Sequence, residues 1–128
     1  MKTRIDRREW TAVAGVADVR AVTSTLPRAY EVVVRDRIKW RVGAIVFAAL
    51  SRDETSIGFG YPKDARDALV ESDPAKFFLP PAGDLRYNWT CAWLSQLGVD
   101  ELEELVVDAW IMTVPKKVWT AYLELHPR

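Results

Sequence analysis

Four short β-strand patterns follow one another between residues 30 and 61, and they constrain the fold more than any other feature of the sequence. The first two, residues 30–35 and 38–42, are rich in β-branched residues, and Gly43 marks the turn after them. An apolar run over residues 44–50 is typical of a central strand covered on both faces, and residues 55–61 form the next strand. Because the connections are short, these strands are predicted to pair as an antiparallel meander.

Helical spacing of apolar residues appears on both sides of this β block. Residues 7–24 form an amphipathic helical pattern, and residues 63–72 predict a short helix. The strongest helical pattern begins at Asp100, which is predicted to cap the helix, with Glu103 three residues later as in a capping box. Pro115 is predicted to break or kink this helix before helical spacing resumes.

Two further β segments lie between the predicted helices. Residues 76–79 predict an edge strand, and residues 85–94 alternate and predict the last strand. The order of elements predicts an α+β fold in a single domain covering residues 1–128. We expect an antiparallel sheet of about five to six strands with helices packed on one face, including an N-terminal helix and a long C-terminal helix.

The charge and hydropathy of the chain limit the classes of function. The 18 Lys and Arg side chains balance 18 Asp and Glu side chains, whereas a dedicated non-specific nucleic-acid binder is usually basic. Much of the basic character is concentrated in residues 1–41, which carry a net charge of +5. The charged N-terminus and the lack of an apolar run of roughly 18 residues lead us to expect a cytoplasmic protein without membrane association.

Few side chains offer catalytic or metal-binding chemistry. The single histidine, His126, lies near the C-terminus, and we interpret it as uninvolved in function. The single cysteine, Cys91, lies in an apolar strand and is interpreted as a small buried hydrophobic residue. The sequence contains neither a Walker phosphate loop nor a Rossmann fingerprint. We therefore expect a protein that is not an enzyme and that uses no metal or cofactor.

The best candidate for a functional surface is a basic segment. Four cations occupy odd-numbered positions, so an extended strand would place them on one sheet face: Arg35, Arg37, Lys39 and Arg41. Such a face could bind phosphates. The alternative, which we favour slightly, is the solvated outer face of an edge strand, where cations discourage aggregation. A turn at residues 36–37 would also remove Arg35 from the shared face.

Aromatic residues form a second alternating set in the last predicted strand. Tyr87, Trp89 and Trp93 would share one face, while Thr90 and Ala92 occupy the other. If the small residues pack under helices, the rings are exposed and could stack on bases or meet a protein partner. The interpretation we favour is that the rings belong to the core.

Two glycines, Gly58 and Gly60, lie on one face of the fourth predicted strand. The favoured interpretation is that a helix packs closely over both of them. The alternative is a flat surface that receives a ligand.

Several segments together resemble the MmcQ/YjbR family of small bacterial proteins. They are KWRVGAIVFA at residues 39–48, GFGYPK at 58–63, DLRYNW at 84–89, and ELVVDAW through VPKK between 104 and 117. The resemblance covers roughly residues 7–120. It implies a fold similar to the frataxin/CyaY group, and it implies DNA binding through a proposed double-wing architecture. The family shares no catalytic or base-contacting residues that could be transferred to this chain.

Two functions compete on these observations. The first is a DNA-binding protein that contacts phosphates through its cations, namely Arg35, Arg37, Lys39 and Arg41 with Arg86, Lys116 and Lys117. The second is a protein-interaction module that uses exposed Trp residues. We expect a monomer or a weak dimer in either case. An iron-binding role like that of frataxin is disfavoured because the first helical segment is not acidic.

Overall fold

A computed structural model describes residues 14–128 of the chain. It confirms the predicted α+β class. In this part of the chain there are four α-helices: α1 (Val16–Thr23), α2 (Lys63–Ser72), α3 (Val99–Ile111) and α4 (Lys116–Leu125). They accompany six strands: β1 (Ala29–Val34), β2 (Arg37–Val42), β3 (Ile45–Leu50), β4 (Ser56–Gly60), β5 (Phe77–Phe78) and β6 (Trp89–Trp93). Between residues 14 and 128, every helix is too short or too polar to cross a membrane.

The six strands form one antiparallel sheet in the order β1-β2-β3-β4-β6-β5. The predicted meander is the hairpin series β1 to β4. Arg35 and Asp36 connect β1 to β2 with φ angles of 52° and 66°, as in the two-residue hairpin turns that match strand twist. Gly43 forms the following turn with a φ of 58°. Since β1 pairs along its full length with β2, β2 is an inner strand of the sheet.

A β-bulge in β3 decides which residues face the helices. Trp40 pairs with Ala48 while Arg41 pairs with Val46, so Phe47 is the extra residue. Both Phe47 and Ala48 are buried in the main core. Val46 and Ala49 lie on the opposite face, where Ala49 is buried and Val46 is half-buried. The prediction that this apolar run is covered on both faces therefore holds for residues 47–50 and is wrong for residues 44 and 45, which are exposed.

The core lies between the sheet and α3. The helix buries an apolar stripe that includes Leu102, Val106 and Trp110, each with less than 1% of its surface exposed, as its spacing predicted. The Trp110 indole donates a hydrogen bond from Nε1 to the carbonyl oxygen of Pro27 at 2.9 Å. Tyr122 of α4 packs edge-on against the same indole, with ring centroids 5.1 Å apart. Trp110 therefore joins α3 to the next helix, α4, and to Pro27, which is distant in sequence.

Several predicted boundaries need correction. The described part of the first helix begins at Val16 and is capped by Gly15, whereas residues 7–13 of that prediction lie outside the described residues. The α3 helix begins at Val99 with Gly98 at its N-cap, so the prediction that Asp100 caps it is wrong. Asp100 instead lies in the first turn, where the helix dipole favours negative charge.

The last strand is also shorter than predicted. The pattern extended over residues 85–94, but β6 begins at Trp89. Residues 85–88 instead belong to an irregular connection that folds back over the sheet. The short helix, by contrast, has the predicted bounds, and the predicted edge strand is confirmed as β5.

Candidate functional site

The sheet face opposite α3 carries a concave depression of about 700 Å³, which we call the open-face cleft. Arg37 and Lys39 of β2 lie on one side, and Gly58 and Cys91 of the central strands lie at its base. Residues of the β5–β6 connection form the other side: Pro81, Asp84, Tyr87 and Asn88, together with Trp89 at the start of β6. A volume of this size is typical of sites that hold a small molecule or part of a polymer.

The basic side of the cleft is built by the alternation of β2. Trp40 is buried in the core with 1% of its surface exposed, so its neighbours Lys39 and Arg41 point away from the helices. Both cations are half-buried. The prediction that this segment is the solvated face of an edge strand is wrong, because β1 covers the edge.

The cations of β2 are held close to one another. Burial lowers the pKa of the Lys39 ammonium, and the charges of Arg37, Arg41 and Arg35 lower it further. Neither Lys39 nor any of these three arginines forms an ion pair with a carboxylate of residues 14–128. The site thus concentrates positive charge on its β2 side.

Arg37 is already oriented before any ligand arrives. Its Nε donates a hydrogen bond to the carbonyl oxygen of Leu50 on β3 at 3.0 Å. The guanidinium makes no other hydrogen bond to residues 14–128, so its two terminal NH₂ groups are available to an anion. A guanidinium presents these groups in a planar fork that matches a carboxylate or a phosphate.

The aromatic side of the cleft depends on Arg66, a residue that the sequence analysis missed. Arg66 lies in α2 with only 7% of its surface exposed. Its Nη1 donates to the carbonyl oxygens of Tyr87 and Trp89, each at 3.0 Å, and its Nη2 donates to that of Leu85 at 2.8 Å. The guanidinium therefore fixes the irregular segment that carries the aromatic residues.

A sequence signal for Arg66 existed. It precedes Leu69 and Val70 by three and four residues, which places it on the apolar stripe of its helix. A cation on such a stripe has to find buried acceptors, because burying an unpaired charge is costly.

The aromatic rings lie on the open face, so the interpretation that they belong to the core is wrong. Thr90 and Ala92 are fully buried beneath the helices. Tyr87 and Trp93 are 50% and 41% exposed, and Trp89 is half-buried. The side chains of Thr90 and Ala92 are small, and this allows the helix layer to approach β6 closely.

Gly58 provides the space that Trp89 occupies. A methyl group on Gly58 would overlap the indole and lie 2.8 Å from its Cε2 atom. The predicted close approach of a helix is therefore wrong for Gly58, which is covered by an indole. It is confirmed for Gly60, where an added Cβ would lie 3.6 Å from the Cβ of Ala109 in α3.

Comparison with known proteins places the chain in a family. A family model described as YjbR matches residues 24–112. The chain belongs to the YjbR family. An uncharacterized protein of Mycobacterium tuberculosis strain H37Rv and one of Mycobacterium bovis are each 36% identical over 56 residues. Those residues are 44% of this chain and 43% of each relative, so the chain matches less than half the length of these relatives.

A solved structure shares the YjbR-family fold seen here. The crystal structure of Deinococcus radiodurans protein DR2400, with a DUF419 domain, superposes with a TM-score of 0.70 and covers 88% of both chains. Its sequence is 16% identical, so the similarity concerns the fold. The resemblance to this family that the sequence segments indicated is confirmed.

The structure does not bring all the predicted binding residues of this YjbR-family chain together. Arg35 lies in the β1–β2 turn and Arg41 lies beyond the cleft lining, yet both contribute to the charge at Lys39. Arg86 is exposed beside the cleft and donates from Nη2 to the hydroxyl of Tyr87 at 2.8 Å. Two further predicted cations are exposed in the first turn of α4, on the helix side of the sheet: Lys116 and Lys117.

His126 also lies away from the cleft. Its ring stacks on Tyr122 with centroids 4.1 Å apart, and its Nδ1 is 3.0 Å from the carbonyl oxygen of that residue. Within residues 14–128, no group of three or more His, Cys, Asp or Glu side chains is arranged to hold a metal ion.

Cys91 is expected to be an unreactive thiol at neutral pH. Burial at the base of the cleft raises its pKa to about 11, although Arg37 opposes this change. Because the thiolate is the nucleophile, alkylation by iodoacetamide should accelerate about tenfold per pH unit between about pH 7.5 and about pH 10. Mass spectrometry of the intact protein measures the rate, and the protein in denaturant is the control, since its thiol titrates near about 8.5. A rate that levels off below about pH 9 in the folded protein would contradict this assignment.

Proposed function

We propose that this YjbR-family protein is a non-enzymatic nucleic-acid-binding protein that contacts the phosphate backbone through the open-face cleft. The observation that carries the proposal is the pair of half-buried cations, Arg37 and Lys39, on the concave face of the sheet. Positive charge lining a cleft attracts a polyanion more strongly than the same charge dispersed over a convex surface.

The zero net charge of the chain is compatible with this proposal because the cations are grouped. Burial is the main cause of the lowered pKa of Lys39, and repulsion from Arg37, Arg41 and Arg35 adds to it. A phosphate bound between Lys39 and Arg37 would relieve that repulsion, and the Nε–Leu50 hydrogen bond keeps the Arg37 fork in position. Binding would therefore be favoured by electrostatics that the free protein leaves unsatisfied.

The dependence of affinity on salt tests the proposal. Each phosphate that a cation neutralises contributes about −0.9 to the slope of log K against log salt for a duplex. We expect a slope of about −2 to −4, which corresponds to two to four phosphates at about 0.9 each, between about 50 and about 200 mM salt. Fluorescence anisotropy of a labelled DNA measures it. Absence of binding at the lower salt concentration, or binding that salt leaves unchanged, would contradict the proposal.

A second candidate function rests on a different surface. The rings of Trp93 and Phe78 stack with centroids 4.5 Å apart at the β5 edge of the sheet, and Leu79 beside them is 44% exposed. Exposed apolar groups of this kind are common where a protein partner docks. On this alternative, Trp93→Ala would abolish partner binding and Arg37→Ala would leave it unchanged, which is the reverse of the pattern expected for nucleic acid.

A further inference from the structure

We propose that the open-face cleft takes one unpaired nucleotide of a single-stranded nucleic acid, with its phosphate on Arg37 and Lys39 and its base against Trp89. This inference rests on the proposed function and specifies the form of nucleic acid that the same site binds. It follows from the arrangement of charge and aromatic surface within one cleft.

The two sides of the cleft suit the two ends of a nucleotide. Cations occupy the β2 side, and aromatic and polar side chains occupy the β5–β6 side. The Asp84 carboxylate lies on the aromatic side, where it would repel a phosphate. The charge distribution therefore orients a nucleotide with its phosphate toward β2 and its base toward Trp89.

The aromatic side offers contacts that a duplex cannot use. A paired base is stacked on its neighbours within the duplex and presents only its edges, whereas an unpaired base presents a ring face. Trp89 lies against Gly58, which has no side chain, and the indole lines the cleft. Stacking of a base on such a ring strengthens binding, and it does so for all four bases because each has a flat ring face. The cleft should thus favour a single strand over a duplex.

Polar groups near Trp89 could contact the edge of the bound base. The side-chain oxygen of Asn88 accepts a hydrogen bond from the backbone N–H of Lys63 at 2.9 Å, at the start of α2. That bond fixes the amide orientation, so the NH₂ group of Asn88 is the part left to donate to a ligand. Asp84 supplies an acceptor on the same side of the cleft.

The test compares three labelled ligands at about 50 mM salt by fluorescence anisotropy: a single strand of about 12 thymidines, a hairpin duplex, and a mononucleotide. We expect the single strand to bind about tenfold or more tightly than the duplex. Trp89→Leu should remove about tenfold or more from the affinity for the single strand and leave the affinity for the duplex unchanged. Trp93→Leu is the matched control, since Trp93 lies on the same strand and face but outside the cleft lining.

The outcomes separate this inference from the function on which it rests. Equal affinity for the single strand and the duplex, with both lost in the Arg37→Ala/Lys39→Ala variant, would overturn the inference and leave the proposed function standing. No binding of any ligand would overturn both. A mononucleotide that binds as tightly as the longer strand would identify a free nucleotide as the ligand and would overturn the single-strand assignment. Gly58→Ala, which displaces the indole, should reproduce the Trp89→Leu result if the folded state is retained by circular dichroism.

Discussion

Trp110→Ala is expected to lower the free energy of unfolding by about 3–5 kcal/mol, the range measured when large aromatic residues are removed from a core. The substitution removes a side chain that is fully buried at the centre of the contact between α3 and the sheet. It also leaves the carbonyl oxygen of Pro27 without its indole donor and the ring of Tyr122 without its edge-on neighbour. Since a domain of ordinary stability has a free energy of unfolding of about 5–15 kcal/mol, this loss is a large part of the total.

Urea unfolding followed by circular dichroism measures this loss. Trp93→Ala is the control, because that ring is 41% exposed on the opposite face, and we expect it to cost well under half as much. Similar losses in the two variants would show that Trp110 does not hold the helix layer to the sheet as described.

Arg66→Met is expected to lower the free energy of unfolding by about 2–4 kcal/mol and to loosen the aromatic side of the cleft. Methionine fills similar space but donates no hydrogen bond, so the carbonyl oxygens of Leu85, Tyr87 and Trp89 lose their shared partner. Each buried acceptor left unsatisfied costs about 1–3 kcal/mol, and partial access of water at the surface reduces the sum. Arg66→Lys should recover little of the lost stability, since an ammonium cannot span three acceptors as the guanidinium fork does.

Hydrogen exchange of the 85–89 segment distinguishes this local effect from general destabilisation. We expect faster exchange there in Arg66→Met, with the β2–β3 amides less affected. Arg20→Met is the control, because Arg20 forms an exposed ion pair with Glu31 at 2.9 Å and such pairs contribute about 0–1 kcal/mol. Unchanged exchange at residues 85–89 would mean that Arg66 does not organise the aromatic side.

The features that the sequence predicted well are those set by local periodicity. The hairpin series β1 to β4 and the bounds of α2 follow from alternation, turn residues and helical spacing. The shared face of Arg37 and Lys39 followed from the same alternation, because a strand places every second side chain on one face.

The features that the sequence did not predict depend on contacts between distant segments. Alternation separates Trp89 from Thr90, but it does not show which face meets the helices. The packing of the helix layer decided that: α2 contacts β6, and the small residues Thr90 and Ala92 are the buried ones. The bulge at Phe47 likewise follows from pairing with β2, and the contacts of Arg66 join α2 to the segment 85–89, which is distant in sequence.

The central claim is that the β2 cations of the open-face cleft bind nucleic acid, and two double variants test it most directly. Arg37→Ala/Lys39→Ala and Lys116→Ala/Lys117→Ala change the net charge equally, but the second pair lies on α4 outside the cleft. Anisotropy titrations of both variants at several salt concentrations should show a loss of affinity and a salt slope smaller by about 2 for the first pair alone. Equal losses in the two variants, or a loss in the α4 variant alone, would contradict the account.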